Sequence, residues 1–194
     1  MATRVLPLCL LGACHGGGRT ADAARAVAVA NGPVLVRTVP PAEAALLEAG
    51  GIPPGDTSLV VTRGRARTLI LRHGPPDRAE FLELTLPATV FQDAPAETVH
   101  VTARPLPGVY GVTLEADAPW GKGAELAFKY AVHFNTPPDA LARYRTLTEV
   151  ERRLVIARRG EGGDAAIYYS THPFPDVVLA KIPGPGTYQM LVGK

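Results

Sequence analysis

The nearest approach to a catalytic pair in this sequence is Ser170-Thr171-His172, where hydroxyl groups lie beside an imidazole. Nucleophilic hydrolysis needs a serine, threonine or cysteine that a neighbouring base activates. Successive side chains of an extended strand point to opposite faces, so this run does not by itself build a dyad. Ser58 is the only other serine, and the sequence contains no G-x-S-x-G motif. We therefore predict that the chain has no catalytic residue and is not an enzyme.

The histidines are spread along the chain instead of being grouped as metal ligands usually are. His73, His100, His133 and His172 are separated by predicted turns and strands, and no HxH, HExxH or aspartate-rich calcium loop is present. His100 lies on the polar side of its predicted strand, which favours an exposed imidazole. For His133 and His172 we expect a loop hydrogen bond. The sequence predicts neither a bound metal nor a cofactor.

The N-terminus places Arg4 before an apolar run over residues 5–11, which ends in Leu11-Gly12-Ala13-Cys14. A basic residue, a short apolar segment and small residues are typical of a secretory signal. The four residues resemble the lipobox of bacterial lipoproteins, in which an aliphatic residue and two small residues precede a cysteine. That resemblance implies cleavage between Ala13 and Cys14 and a diacylglyceryl group on the Cys14 thiol. Two or three acyl chains anchor a protein durably, because each buried CH₂ contributes about 0.8 kcal/mol.

The resemblance assigns residues 1–13 to a lipoprotein signal peptide and the protein to the bacterial cell envelope, with membrane lipid as its first partner. Cys9 follows Leu6-Pro7-Leu8, which lacks the small residues, so we expect it to leave with the signal. The residue after Cys14 is His15 and not aspartate, so either the periplasmic side of the inner membrane or the outer membrane is allowed. The alternative is a soluble intracellular β domain with a chance apolar N-terminus.

Composition limits the classes of partner and fold. The formal net charge of +2 gives no field strong enough to argue for nucleic acid. Without residues 1–13 the chain keeps one cysteine, so no internal disulfide is expected. The fold must then depend on its apolar core, which a hydrophobic content of 46% can supply.

Most apolar segments alternate with period two, which places one set of side chains on a core face and the other in solvent. Residues 14–22 precede them and are glycine-rich, which predicts a flexible tether. Repeated short strands with turn signals between them favour an antiparallel β-sandwich of the immunoglobulin-like type. The predicted strands cover Leu82 to Leu86, Val99 to Ala103, Tyr110 to Leu114, Leu126 to Val132 and Tyr188 to Val192, with shorter ones at 34–39, 59–62, 68–72, 154–158, 165–169 and 177–182.

One or two short helices interrupt the predicted strands. Pro41 near the start of residues 41–49, with Gly50-Gly51 after them, predicts the first helix. The second begins near Asp139, a candidate N-cap, although residues 146–150 could equally lead into the next strand. We divide the chain after the tether into a β-rich N-terminal extension over 23–78 and a sandwich over 79–194.

The order of features from about residue 81 to 192 resembles the ZU-five β-sandwich domain. Leu84-Thr85-Leu86-Pro87 is similar to that family's early strand end, and Trp120-Gly121-Lys122-Gly123 to the segment before its middle strand. Thr187-Tyr188-Gln189-Met190 is similar to its closing strand. Gly123 stands where the family prefers proline. The resemblance implies an antiparallel ZU-five-like sandwich that mediates contacts with other proteins, and it carries over no catalytic residue.

Two features are candidates for contact with a ligand or partner. Arg63, Arg65 and Arg67 share one face of a predicted extended segment and could meet anionic headgroups or lipopolysaccharide phosphates. The interpretation we favour is a solvated strand edge that charge keeps from pairing. Trp120 could stack on a sugar ring or a partner, but we favour a residue that plugs the end of its own sandwich.

Together these observations predict a lipid-anchored, non-catalytic binding or structural module of the envelope, with a protein or glycan partner. An alternative is a carbohydrate-binding or carbohydrate-cleaving envelope protein, which Trp120, Tyr168 and Tyr169 suggest. It requires an exposed aromatic platform in a groove. Paired carboxylates for glycoside cleavage meet only in the fold, and no pair is singled out by the sequence.

Overall fold

The computed structural model of the protein describes residues 32–193. Within this range two antiparallel sheets pack face to face, so the predicted all-β sandwich is confirmed. A 3₁₀ turn (Pro41–Glu43) and two short helices, α1 (Pro138–Tyr144) and α2 (Leu147–Glu151), complete the fold. The strands are β1 (Leu35–Val39), β2 (Ala45–Leu46), β3 (Glu48–Ala49), β4 (Thr57–Thr62), β5 (Arg67–Arg72), β6 (Glu80–Leu86), β7 (Thr98–Pro105), β8 (Gly111–Ala116), β9 (Glu125–Lys129), β10 (Phe134–Asn135), β11 (Leu154–Arg159), β12 (Ala165–Tyr168), β13 (Ser170–Thr171), β14 (Val177–Lys181) and β15 (Gly186–Val192).

The large sheet has the order β1-β12-β11-β15-β8-β7-β4, and β2 also pairs with β15. The small sheet has the order β13-β14-β9-β6-β5, and β3 and β10 form a separate two-stranded ribbon. Residues 35–72 supply strands to both sheets, since β1, β2 and β4 lie in the large one and β5 in the small one.

The period-two pattern forms the main core. Leu82, Leu84 and Leu86 of β6 are fully buried, while Glu83 and Thr85 between them keep solvent contact. In β9, Leu126 pairs with Leu84 in register, and a matching apolar face on the large sheet closes over them. Each large apolar side chain buried in this way stabilises the fold by about 1.5–3 kcal/mol.

An aromatic cluster lies inside the main core around Phe81, which is 1% exposed. Its ring stacks on Tyr110 with 5.1 Å between centroids and meets the edge of Phe128 at 5.9 Å. The Tyr110 hydroxyl donates to the carbonyl oxygen of Val132 at 2.5 Å, so this buried polar group is satisfied. The cluster joins strands of both sheets.

A second, smaller core lies on the opposite face of the large sheet. Val39, Ala157 and Leu191 are buried there, and partly buried Ala44 and Leu46 pack against them. The segment over residues 39–46 therefore covers an apolar patch that would otherwise face water. Both faces of the large sheet are apolar where this segment crosses.

The predicted helix over residues 41–49 is wrong. Only the 3₁₀ turn forms, and the chain then runs extended as β2 and β3. The reason is the neighbouring strand: Leu46 pairs with Leu191, and the Leu47 N–H donates to the carbonyl of Met190 at 3.0 Å. Successive side chains of an extended backbone point to opposite faces. Leu46 therefore packs against the second core and Leu47 packs in the main core.

The helix predicted near Asp139 is confirmed as α1, but Asp139 is not its N-cap. Pro137 holds that position and Pro138 begins the helix, which suits a residue without an N–H donor. Residues 147–151 form α2, where the Thr146 hydroxyl accepts a hydrogen bond from the Glu149 N–H at 3.3 Å. This side-chain cap starts a second helix where the sequence left helix and strand open.

Candidate functional site

A groove with a volume of about 860 Å³ lies at one end of the sandwich, beside Trp120. Four parts of the chain meet there. The β6–β7 loop, the β8–β9 loop, the β14–β15 loop and the first described residues each supply part of its wall. We call it the Trp120 groove; its lining residues are Gly32, Pro33, Thr89, Gln92, Asp93, Trp120, Gly121, Lys122 and Pro183.

Backbone hydrogen bonds fix the two longest loops of this groove against each other. The Gly121 N–H donates to the carbonyl of Val90 at 2.5 Å, and the Val90 N–H donates to the carbonyl of Pro87 at 3.0 Å. A Cβ on Gly121 would lie only 3.1 Å from the Thr89 and Val90 carbonyl oxygens. A larger residue here would crowd both carbonyl groups, which glycine avoids, and Trp120 is the preceding residue.

Trp120 plugs the end of the sandwich, as the favoured interpretation expected, and it also lines the groove. It is half-buried and packs against the main core. Its ring meets Phe91 edge-on, with 5.9 Å between centroids. The indole N–H is buried and makes no hydrogen bond within the described chain. The indole therefore offers the groove an apolar surface and no donor.

The polar lining of the groove comes from side chains that point into solvent. Thr89, Gln92, Asp93 and Lys122 are all exposed. They offer a hydroxyl, a carboxamide, a carboxylate and an ammonium group, which together can donate and accept hydrogen bonds. One negative and one positive side chain leave the lining without net charge.

The three aromatic residues of the carbohydrate hypothesis do not form one platform. Tyr168 is buried in the core, whereas Tyr169 is 42% exposed. Tyr169 lines two smaller grooves, one with Val36 and Arg153 and the other with Gly32. Trp120 alone of the three lines the Trp120 groove.

The three arginines do not share one extended face. Arg63 and Arg65 lie in the turn that carries the chain from β4 in the large sheet to β5 in the small sheet. The Arg63 guanidinium already makes a hydrogen bond within the fold, because it donates to the carbonyl of Ala94 at 3.1 Å. Arg67 lies exposed on β5, an edge strand of the small sheet. The change of sheet requires a turn here, so the predicted straight segment is wrong.

Ser170 and His172 bond to the backbone and not to each other. The Ser170 hydroxyl donates to the carbonyl of Tyr168 at 3.0 Å and accepts from the Ile156 N–H at 2.9 Å. A ring nitrogen of His172 lies 3.1 Å from the carbonyl oxygen of Leu154. The run therefore has a structural role at β13, and the loop hydrogen bond expected for His172 is confirmed.

Among the described residues, two histidines form a cluster of titratable groups that no sequence motif indicates. His73 is 2% exposed, and its ring centroid lies 4.9 Å from that of His133. Its Nδ1 lies 3.2 Å from the carbonyl oxygen of Ile52, which can only accept, so Nδ1 carries the proton. His133 bonds to the Asp77 carboxylate at 2.5 Å. The two histidines are far apart in sequence, and no local motif joins them.

Burial lowers the pKa of His73, since desolvation outweighs the bond to Ile52. The neutral form is favoured in the folded state, so the fold loses stability as pH falls below 6.5, the usual value. We expect the free energy of unfolding of the wild type to fall between pH 7 and pH 5 more steeply than that of His73→Phe. Urea denaturation at each pH measures both slopes.

Exposed His100 provides the control for this pH prediction. His100→Gln should keep the wild-type slope, because it replaces an exposed side chain and leaves the buried His73 in place. The pKa values of Asp77 and Glu80 are lowered in the folded state. Their contribution to the free energy of unfolding is therefore lost only at pH values below about 3.8 and 4.5, their usual pKa values. Equal slopes for wild type and His73→Phe would contradict a buried neutral His73.

Residues 32–193 contain neither a cluster of metal-ligand side chains nor a membrane-spanning helix. Three or more histidine, cysteine, aspartate or glutamate side chains do not converge anywhere in that range to hold a metal ion. The helices of the same range are too short and too polar to cross a membrane.

No protein-family model matches this chain, and neither a curated protein nor a solved structure matches it at significant similarity. The ZU-five-like relationship and the lipobox therefore stay predictions. Residues 1–22, which carry the predicted signal and tether, lie outside the described residues.

Proposed function

We propose that this protein is anchored to the bacterial cell envelope through acylated Cys14 and acts there, without catalysis, as a binding or structural module. The observation that carries the proposal is the Leu11-Gly12-Ala13-Cys14 sequence at the end of an apolar run. Its partner would be an envelope protein or a glycan. In this proposal the acyl chains hold the protein at the membrane, and the folded domain binds the envelope protein or glycan.

The geometry of the folded part supports a binding module. The Trp120 groove opens at the end of the sandwich where the described chain begins, because Gly32 and Pro33 form part of its wall. The first described residues of the chain therefore lie at the rim of this groove. The loops that line this groove are tied to the core, because Phe91 lies in the main core and Trp120 packs against it.

We also propose that the sandwich is ZU-five-like. The segments that carry the resemblance fall on strands and their ends, since Leu84-Thr85-Leu86 closes β6 and Thr187-Tyr188-Gln189-Met190 lies in β15. Such a domain would make its contacts through a rigid surface. This relationship supports a mediator of contacts and assigns no reaction.

Metabolic labelling with an alkyne fatty acid tests the anchor. We expect the wild-type protein, expressed in a bacterial host, to carry the label and to enter the detergent phase of a phase-separation experiment. Cys14→Ala should carry no label and stay in the aqueous phase, because acyl chains supply the membrane affinity. Cys9→Ala is the matched control and should be labelled like the wild type.

Equal label on the wild type and on Cys14→Ala would refute the anchor. Recovery of a wild-type protein that still begins with Met1 and partitions into water would favour the soluble intracellular alternative. Loss of label in Cys9→Ala would show that the wrong cysteine has been assigned.

A further inference from the structure

We propose that the Trp120 groove is a binding site for an uncharged oligosaccharide. The inference deepens the proposed function by naming the ligand class of a binding module. Its geometry is independent of the anchor, because all its residues belong to the folded domain.

The Trp120 groove combines apolar and polar surface, as a sugar requires. The carbon face of a sugar ring is apolar and stacks well on an aromatic ring, and Trp120 offers such a surface with its own nitrogen turned inward. Pro33 and Pro183 add rigid apolar walls. Sugar hydroxyls both donate and accept, and Gln92 and Asp93 supply partners of both kinds.

The charges of the groove lining indicate which class of ligand it suits. Asp93 and Lys122 are the only charged side chains that line the groove within the described chain, and they have opposite signs. A site for phosphate or an anionic headgroup would be expected to concentrate cations, as arginine and lysine clusters do. The mixed lining favours a neutral ligand that is rich in hydroxyl groups.

The size and rigidity of the groove suit a bound oligosaccharide. A volume of about 860 Å³ falls within the range of about 300–1,000 Å³ that is usual for ligand sites. The other grooves found in residues 32–193 are about half this volume or smaller. The hydrogen bond from Gly121 to Val90 and the contact of Trp120 with Phe91 hold the walls in place. A preformed site loses less entropy when a ligand binds.

Trp120 is the only tryptophan in the chain, so intrinsic tryptophan fluorescence reports on this groove alone. The experiment uses the full chain with Cys14→Ala, purified without lipid, and titrates it with chitotetraose, cellotetraose and maltotetraose. We expect at least one of them to change the emission saturably, with a Kd on the order of 1 mM or tighter. No change with any of the three up to about 20 mM would overturn the proposal.

Substitutions in the groove identify the site. Asp93→Ala and Gln92→Ala are exposed and should fold, and each should weaken binding about tenfold. Asp164→Ala, which removes an exposed carboxylate outside the groove, should bind like the parent. Undiminished affinity in both groove variants would overturn the proposal, as would equal weakening by Asp164→Ala.

Trp120 itself is tested by calorimetry, because its replacement removes the fluorescent group. Trp120→Phe keeps an aromatic ring against Phe91 and should retain weakened binding, whereas Trp120→Ala should lose it. If Trp120→Ala does not fold, the Asp93 and Gln92 variants still decide. A response to phosphatidylglycerol vesicles with none to sugars would overturn the ligand class. All these proteins lack the acyl chain, so failure of the anchor would leave these results unaffected.

Discussion

Replacing Phe81 with alanine is expected to lower the free energy of unfolding by about 3–5 kcal/mol. The Phe81 ring is 1% exposed and contacts Tyr110, Phe128 and His73, so its removal leaves a cavity between the two sheets. A close-packed interior cannot fill such a space without distorting its neighbours. Urea denaturation, followed by far-ultraviolet circular dichroism, measures the loss.

Phe174 gives a control with the same chemical change. Its side chain is 70% exposed, in the segment between β13 and β14. Phe174→Ala removes the same atoms, but from a solvent-exposed side chain instead of from the core. We therefore expect the free energy of unfolding to change by no more than about 0.5 kcal/mol. Similar losses for the two variants would mean that Phe81 does not lie at the centre of the core.

Leu47→Ala should cost about 2–5 kcal/mol, because Leu47 is 1% exposed and packs in the main core. Its backbone lies between two neighbouring strands. The Leu47 N–H donates to the Met190 carbonyl at 3.0 Å, and its own carbonyl accepts from the Tyr110 N–H at 2.9 Å. The side chain is thus held in place by the backbone on both sides. The midpoint and slope of urea denaturation measure the effect.

The adjacent Leu46 is the matched comparison. Leu46 is half-buried against the second core, so Leu46→Ala should cost clearly less than Leu47→Ala. The difference tests the extended conformation, in which neighbouring leucines enter separate cores. Equal losses for the two variants would contradict it.

The strands could be predicted because their burial is one-sided. Where a strand has one face in the core and one in solvent, its sequence alternates, as Leu82 to Leu86 and Val99 to Ala103 do. The pattern also extended β9 too far, to Val132, although the strand ends at Lys129. Periodicity indicates which face is apolar, and it does not fix where pairing stops.

The segment around Leu46 and Leu47 was predicted as a helix because Pro41 stands near its start and Gly50-Gly51 follow it. These residues mark the ends of a segment, but they do not show that its two leucines face different cores. The second core, formed by residues such as Val39 and Leu191, is visible only in the fold. The order of the strands is a long-range property in the same way, since β1 pairs with β12.

The sequence indicated one residue of the candidate site but not the residues that surround it. Trp120 was singled out as the lone tryptophan in a turn, whereas its neighbours Gln92, Asp93 and Pro183 come from other loops that have no motif of their own. The His73–His133 pair was missed for the same reason. Side chains that meet only through loops at one end of a sandwich leave no local pattern in the sequence.

An N-terminal anchor would also decide which part of the domain bears mechanical load. Tension on the chain ahead of Gly32 reaches β1 first, an outermost strand of the large sheet that pairs with β12 through a ladder interrupted between Leu35 and Arg37. Leu35 and Val36 at its start are more than half exposed, whereas Val39 at its end is buried. Pulling would peel β1 from its exposed start toward its buried end. Under such a load β1 would detach from β12 and pair with it again, while the other strands of the two sheets stay paired.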